Sequence, residues 1–152
     1  MPPLSAGILL YRRRGEAVEV LLVHPGGPFW RNRDEGAWMM PKGLVGEGEE
    51  PLACALREFE EELGTRPAGI PSPLCRIRQK GGKLVEAFSL EGDLDADTIV
   101  SNSFETEWPP RSGRLQSFPE VDRAGWFSIE EARARILPSQ IPILDALMAR
   151  LD

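Results

Sequence analysis

The chain has 152 residues, of which 41% are hydrophobic and 28% are charged, and this composition predicts one globular domain spanning residues 1–152. Its net charge of −6 provides no field that would attract nucleic acid over the whole surface, so local cations or bound metal would have to receive an anionic substrate. No apolar run approaches the roughly 20 residues that span a bilayer, the start does not resemble a secretory signal, and two cysteines without metal-site spacing favour reduced thiols in the cytoplasm.

Two β-rich apolar runs open the chain. Residues 5–12 (SAGILLYR) and 18–24 (VEVLLVH) are joined by the polar residues 13–17 (RRGEA), a pattern that predicts a β-hairpin. The glycines and prolines of residues 25–36 predict a loop. Residues 37–43 (AWMMPKG) predict a short strand that ends in a turn.

A helix is predicted for residues 51–63. Pro51 suits the first turn of this helix, and Gly64 suits its C-terminal stop. Four apolar residues recur between them at intervals of four, three and four, namely Leu52, Leu56, Phe59 and Leu63. This spacing predicts a stripe that faces the core.

The same helix crowds four glutamates, Glu58, Glu60, Glu61 and Glu62, into five positions behind Arg57. At about 100° per residue, Glu58 and Glu62 lie about 40° apart, Glu61 lies about 60° to the other side of Glu58, and Glu60 lies about 160° from Glu58. We therefore expect Glu58, Glu61 and Glu62 to share an exposed face. Such a face is either solvated surface, where weak like-charge repulsion is tolerable, or a site for a hard divalent cation such as Mg²⁺ or Mn²⁺.

Further elements are predicted in the C-terminal half. Residues 74–79 and 83–90 flank Lys80-Gly81-Gly82 and predict a second hairpin, whereas residues 91–98 and 107–114 are loop-like and residues 125–127 (GWF) predict a short strand. Ser128 and Glu131 form a capping box that opens a helix, Pro138 ends it, and residues 141–151 predict a last helix. Strands and helices mix without a regular βαβ alternation, which favours the α+β class or a sandwich with a mixed sheet.

Gly43, Glu49 and the run Arg57-Glu58-Phe59-Glu60-Glu61-Glu62-Leu63-Gly64 resemble the Nudix box, which they match at each fixed position. Thr65 departs from the aliphatic residue that family members usually carry next. Softer similarity extends to residues 38–43 (WMMPKG) before the box and residues 120–132 (EVDRAGWFSIEEA) after it. The resemblance implies a Nudix-type α/β/α sandwich with a mixed sheet. It also implies an enzyme that cleaves a nucleoside diphosphate linked to another group. Such an enzyme uses Mg²⁺, for which Mn²⁺ can substitute.

This resemblance also implies roles for individual residues. The expected metal ligands on the helix are Glu58, Glu61 and Glu62, joined by the backbone carbonyl of Lys42. Arg57 and Glu49 are expected to pair and to orient these carboxylates. The expected catalytic residues are Glu61, Glu58, Arg57 and Glu49, and which glutamate is the general base is left open.

One acidic residue from a downstream loop often completes the metal site in this family. Glu120, six residues before Trp126, is the first choice for this chain, and Glu105 and Glu107 are the alternatives.

For the substrate, Lys42 and Lys80 are expected to meet phosphates and Trp38 to stack on a base, whereas His24, the only histidine, is expected to be structural. A nucleoside triphosphate or dinucleoside polyphosphate is expected, since residues 38–43 are similar to the PKG arrangement of the dinucleoside and diphosphoinositol polyphosphate enzymes of the family. The tyrosine of dinucleoside polyphosphate members and the proline of ADP-ribose members are both absent, however. A small-molecule nucleotide is the expected partner, with no membrane partner and no clear nucleic-acid surface.

Two functions are weighed. The first is a pyrophosphohydrolase in which water attacks phosphorus directly, since no nucleophilic serine or cysteine motif lies beside a histidine base. The second is a catalytically silent Nudix-like module that senses a nucleotide and regulates a partner. A silent module would not need every metal ligand and the orienting arginine, so the intact box favours the enzyme.

Overall fold

The computed structural model describes residues 3–151. The strands are β1 (Leu4–Arg14), β2 (Ala17–Pro25), β3 (Lys42–Leu44), β4 (Ser72–Arg78), β5 (Leu84–Glu91), β6 (Ser103–Glu107), β7 (Leu115–Pro119) and β8 (Val121–Ser128), and the helices are α1 (Pro51–Leu63), α2 (Ile129–Arg135) and α3 (Ile141–Leu151). None of the helices within the described residues is long and apolar enough to cross a membrane.

A six-stranded mixed sheet forms the centre of the molecule. Five of its strands follow the order β4-β5-β1-β2-β8, and the short β3 pairs with β1. β1 and β5 are parallel, whereas the hairpins β1-β2 and β4-β5 are antiparallel, as the two pairs of apolar runs predicted. β6 and β7 form a separate two-stranded ribbon.

Two apolar cores lie on opposite faces of the sheet. Successive residues of a strand point to opposite faces, so Ile8 and Leu10 of β1 pack on the side of α1, whereas Leu9 packs on the side of α3. Phe59 of α1 and Leu144 of α3 are fully buried, one in each core. The arrangement is the predicted α/β/α sandwich of the α+β class.

The ends of the helices follow the predicted signals. Pro51 occupies the first turn of α1, and Gly64 ends this helix in the left-handed conformation with its amide donating to the carbonyl of Glu60 at 2.8 Å. The capping box of Ser128 and Glu131 is formed at the start of α2. Local sequence therefore sets the bounds of α1 and the start of α2.

Two predictions for strands need correction, and two strands were not predicted. The segment 37–43 is not one strand, because Trp38 and Met39 form only isolated bridges before β3 begins at Lys42. The loop predicted for residues 107–114 is present between β6 and β7, but the two short strands themselves were missed because they lack a clear alternation of apolar residues. The strand predicted at residues 125–127 extends over all of β8, since its pairing with β2 continues to Val121.

We predict that Gly64→Ala destabilises the protein by about 2 to 4 kcal/mol, because a side chain there meets two penalties. The residue has a φ of +79°, and a Cβ would lie 2.6 Å from the carbonyl oxygen of Val100. Gly48 is the matched control, with a φ of +73° and nothing within 4 Å of its Cβ position. Gly48→Ala should cost only about 1 kcal/mol in urea unfolding, and equal losses in the two variants would contradict the close contact.

Candidate active site

Helix α1 presents its carboxylates to β3 and to the loop after that strand. Gly43 of β3 lies so close to α1 that a Cβ there would overlap the carboxylate of Glu58. The thiol of Cys54, one turn earlier on α1, lies 3.5 Å from the carbonyl oxygen of Gly43 and 3.4 Å from that of Leu44. A residue without a side chain at position 43 therefore allows Glu58 to sit between the helix and the strand.

Three carboxylates converge at this place. Glu58 and Glu62 come from α1, and Glu120 comes from the turn between β7 and β8; one oxygen of each lies within 4.8 Å of the others. Carboxylate oxygens are the ligands that hard divalent cations prefer, and Mg²⁺ binds oxygen at about 2.0 to 2.1 Å. Two such oxygens on opposite sides of one ion are about 4.2 Å apart. The three carboxylates therefore fit a shared cation after a small adjustment.

The carboxylate face of α1 is not exposed as the periodicity suggested. Glu62 is only 6% exposed, and the side chain of Glu58 is only 12% exposed. Leu52 and Leu56, predicted to be core residues, are only partly buried. The side of α1 that carries Glu58 packs against β3. Periodicity describes only the residues of α1, so it cannot show which side of the helix another segment will bury.

Burial and mutual repulsion change the proton affinity of these carboxylates. Loss of water, followed by the charges of Glu58 and Glu120, raises the pKa of Glu62 to about 9. Burial and the neighbouring glutamates also raise the pKa of Glu58 and of Glu120. Without a cation Glu62 therefore favours its protonated form at neutral pH, and a divalent cation would favour the charged form.

Arg57 forms hydrogen bonds with the carboxylates of α1 and of the loop after β3. Its Nε donates to Oε2 of Glu49 at 2.9 Å and its Nη2 donates to Oε1 of the same carboxylate at 3.0 Å, a two-point pairing that matches the predicted pair. Its Nη1 donates to Glu58 at 3.0 Å and to Glu61 at 3.2 Å. Nη2 also donates to the carbonyl oxygen of Leu44 at 3.3 Å. One guanidinium thus links the loop after β3 with two carboxylates of α1.

Glu49 remains ionised in this arrangement. The Arg57 guanidinium, followed by the amide of Gly46, lowers the pKa of Glu49 to about 2. The same pairing raises the pKa of Arg57 further above its usual value. The two charges stay present over the whole physiological pH range, so their geometry does not depend on pH.

Glu61 lies beside the three converging carboxylates but is not one of them. Its side chain is 33% exposed and accepts hydrogen bonds from Arg57, and its charge contributes to the raised pKa of Glu58 and Glu120. Glu60 is 52% exposed on the other side of the helix, where its carboxylate lies 3.7 Å from Arg66. Periodicity thus separated Glu60 from the cluster correctly.

Of the three downstream acids considered, Glu120 joins the cluster. Its amide donates to the carbonyl oxygen of Asn102 at 2.7 Å, and its carbonyl accepts from the amide of Gly26 at 2.8 Å. Glu105 and Glu107 are exposed on β6, and Glu107 accepts a hydrogen bond from the amide of Arg111. The contacts of residues 101–102 with this turn have no local signal in the sequence, because they form between distant segments.

The predicted phosphate-binding lysines occupy different environments. Burial, with a contribution from Lys83, lowers the pKa of Lys42, and the charges of Glu62 and Glu58 oppose this effect. Lys42 is therefore close to the carboxylates, and the charge of Lys83, immediately before β5, also acts on it. Lys80 is exposed in the turn of the β4-β5 hairpin.

Trp38 is a core residue, contrary to its expected role in stacking on a base. It is 5% exposed, and its indole nitrogen donates to Asp34 at 2.7 Å. The rings of His24 and Phe127 contact it edge to face. A ring enclosed in this way has no free face for a base, so we do not assign Trp38 to the substrate.

Comparison with known proteins agrees with this geometry. The family model of the NUDIX domain matches residues 1–147. An RNA pyrophosphohydrolase of Rhodospirillum rubrum is 30% identical over 171 residues, which cover 99% of this chain and 92% of the relative.

Solved structures show the same fold. The NUDIX domain of Shewanella oneidensis NrtR, determined with ADP ribose, superposes with a TM-score of 0.67 at 15% identity and covers 100% of this chain and 90% of that domain. A Caenorhabditis elegans Ap4A hydrolase superposes with a TM-score of 0.66 at 21% identity and covers 97% of each chain. The domain match over nearly the whole chain, together with the relative from Rhodospirillum rubrum, establishes that this protein is a member of the Nudix hydrolase family, with pyrophosphohydrolase activity in the general sense of that family.

Proposed function

We propose that the protein hydrolyses a phosphoanhydride bond of a nucleotide, with Mg²⁺ held by Glu58, Glu62 and Glu120. The observation that carries this proposal is the convergence of the three carboxylates within 4.8 Å at a largely buried site. The charged forms of three carboxylates this close together are unfavourable without a counter-charge, and a divalent cation would supply one. The backbone carbonyl of Lys42 and the carboxylate of Glu61 remain proposed additional ligands.

The proposed reaction assigns a role to each group around this cluster. When bound, Mg²⁺ would neutralise phosphate charge and make water a better nucleophile. The ammonium of Lys42 would attract a phosphate oxygen, and Lys80 remains a proposed contact for the more distant phosphates. Glu61 lies next to the cluster and accepts hydrogen bonds from Arg57. We propose it as the residue that accepts a proton from the attacking water, a role that is the alternative to its binding the metal. Arg57 keeps Glu58 and Glu61 in position.

Two substrate classes are proposed. The first is a nucleoside triphosphate or a dinucleoside polyphosphate, in keeping with the PKG sequence before the box. The second is an RNA that carries a 5′-triphosphate, which is favoured by the relative from Rhodospirillum rubrum, an RNA pyrophosphohydrolase that matches 99% of the chain. Both classes present the same anhydride to the metal and differ in the group attached to it. The complete set of charged residues at the site favours hydrolysis over a silent sensing role.

The experiment that tests the proposal compares ATP, diadenosine tetraphosphate, a 5′-triphosphorylated RNA oligonucleotide and AMP as substrates, with Mg²⁺ and with EDTA. We expect hydrolysis of at least one anhydride, little turnover of the monoester AMP, loss of activity in EDTA and recovery with Mg²⁺ or Mn²⁺. In ¹⁸O-labelled water the label should enter a phosphate product, because water attacks phosphorus. Full activity in EDTA, equal turnover of AMP or label on carbon would contradict the proposal.

We predict that Glu62→Gln abolishes metal-dependent turnover while the fold is retained. The amide preserves the shape of the side chain and removes the charge that a cation needs. Glu60→Gln is the matched control, since it makes the same chemical change on a residue that is 52% exposed on the other side of α1, and its kcat should stay near the wild-type value. More than about a tenth of the wild-type kcat in Glu62→Gln at saturating Mg²⁺ would show that this carboxylate is not a metal ligand.

We also predict that Glu62→Gln stabilises the metal-free protein at alkaline pH. The pKa of Glu62 is raised from about 4.3 in the unfolded chain to about 9 in the folded one, so the folded state binds the extra proton between these values. Stability of the wild type should therefore fall with rising pH in this window, by at most about 1.4 kcal/mol per pH unit, and the Glu62→Gln variant should lack this contribution. Urea unfolding in EDTA at pH 5 and pH 8.5 measures the difference, and parallel pH profiles for the two proteins would refute it.

Arg57→Lys is predicted to lower activity or Mg²⁺ affinity by roughly 10- to 100-fold, the usual result of disturbing groups that orient metal ligands. Lysine keeps the charge but cannot bind Glu49 through two parallel hydrogen bonds and reach Glu58 at the same time. Arg66→Lys is a control with the same substitution at an exposed arginine near Glu60. Kinetics and a Mg²⁺ titration in both variants provide the measurement, and wild-type values for Arg57→Lys would make this arginine dispensable.

A further inference from the structure

His24 is fully buried near the end of β2 and contacts two separate segments. Its Nε2 donates to the backbone carbonyl of Arg33 at 2.5 Å, in the loop after β2. Its Nδ1 forms a hydrogen bond with Oδ1 of Asp122 in β8 at 2.8 Å. The ring also packs edge to face on Trp38 at 5.3 Å. A histidine with both nitrogens bonded has no free atom for substrate, so its role must be carried out through its partners.

Asp122 occupies an irregular position in β8. His24 of β2 pairs with Arg123, but the next residue, Pro25, pairs with Val121, so Asp122 is an extra residue without a partner across the strands. An extra residue of this kind is a β-bulge, which bends the strand and redirects side chains. The hydrogen bond to His24 occupies the side chain of the bulged residue, and its backbone is thereby held by the neighbouring strand.

The residues immediately before the bulge lead into the carboxylate cluster. Val121 is 4% exposed in the core beside α1, and its amide donates to the hydroxyl of Ser101 at 3.0 Å. Glu120 precedes it, and its backbone is bonded on one side to Asn102 and on the other to Gly26, two residues after the histidine. The hydrogen bond between His24 and Asp122 therefore closes a short ring of contacts that joins β2 to the turn before β8.

We propose that His24 and Asp122 act as a positioning pair that holds the carboxylate of Glu120 at the metal site. This inference rests on the proposed function, in which Glu120 is a ligand. Glu58 and Glu62 are carried on one rigid helix, one turn apart, whereas Glu120 lies in a turn and must be held there by contacts of that turn. The backbone hydrogen bonds of Glu120 to Asn102 and Gly26 fix the position of its backbone, and the bulge held by His24 fixes where β8 begins. His24 and Asp122 are 98 residues apart in the sequence, so their hydrogen bond also links β2 to β8.

The alternative is that the pair only stabilises the fold. Both explanations predict a lower stability when the pair is broken, so unfolding data alone do not separate them. A positioning role makes two additional demands. Loss of the pair must weaken metal binding in the folded protein, and this weakening must disappear when Glu120 can no longer bind metal.

The test is a double-mutant cycle on Mn²⁺ affinity, measured by electron paramagnetic resonance of free Mn²⁺ in titrations of the full chain. The variants are Asp122→Ala, Glu120→Gln and the double substitution. Asp122→Asn is the conservative variant, since its amide group can still form a hydrogen bond with Nδ1 of His24. Ile143→Ala removes a fully buried side chain of α3 in the opposite core and serves as the control for general destabilisation. The side chain of Asp122 is 32% exposed, so a polar residue is tolerated there. If the alanine variant does not fold, Asp122→Ser replaces it, because the shorter hydroxyl does not reach His24.

We expect Asp122→Ala to weaken Mn²⁺ binding about 10-fold, as loss of a group that orients a ligand does, and Asp122→Asn to stay within about threefold of the wild type. Glu120→Gln should weaken binding by a similar or larger factor, and adding Asp122→Ala to it should change nothing further. Ile143→Ala should keep the wild-type affinity. Wild-type Mn²⁺ affinity in folded Asp122→Ala would overturn the positioning role and leave the metal site intact. The same conclusion would follow if the losses of affinity in the two single variants multiplied in the double variant. Wild-type affinity in Glu120→Gln would instead remove Glu120 from the proposed metal site, and the positioning role with it.

Discussion

Three carboxylates, one of them buried and two partly buried, converge between α1, β3 and the turn before β8, and their mutual repulsion governs the contacts around them. Glu58, Glu62 and Glu120 repel one another, and loss of water raises the pKa of each of them. A protein can hold such a group only if the surrounding structure is stable enough to bear the cost, which the two cores on either side of the sheet supply. The charged forms of the three carboxylates are therefore unfavourable together, and the proposed divalent cation would offset their repulsion.

The charged groups around the cluster are of two kinds, some permanently ionised and others that can change their protonation. Glu49 and Arg57 stay ionised throughout the physiological pH range, and the guanidinium ties the loop after β3 to α1. The carboxylates that face inward change their proton affinity with their environment. The ion pair of Glu49 and Arg57 therefore keeps its geometry when the protonation of the neighbouring carboxylates changes.

The sandwich architecture brings these groups together from distant parts of the chain. β3 enters beside β1 and leaves Gly43 against the helix, α1 contributes two carboxylates one turn apart, and the ribbon of β6 and β7 returns the chain to the same place at Glu120. Near the end of β2, His24 joins the loop after that strand to the bulge in β8. The third carboxylate is thus supported by contacts among β2, β8 and residues 101–102, and its position depends on the whole sheet.

Features that depend on neighbours along the chain were predictable from local patterns. Both hairpins of the main sheet, the ends of α1 at Pro51 and Gly64, the capping box of α2 and the spacing of the helix carboxylates follow from local patterns, because turns, caps and side-chain periodicity are properties of a few consecutive residues. Contacts between distant segments, by contrast, bury Glu62, bring Glu120 rather than Glu105 or Glu107 to the cluster, and place Trp38 in the core. Such contacts also bring the single histidine to the β-bulge. Each of these outcomes depends on which segment covers which face, and that choice is made by packing between residues that are far apart in the chain.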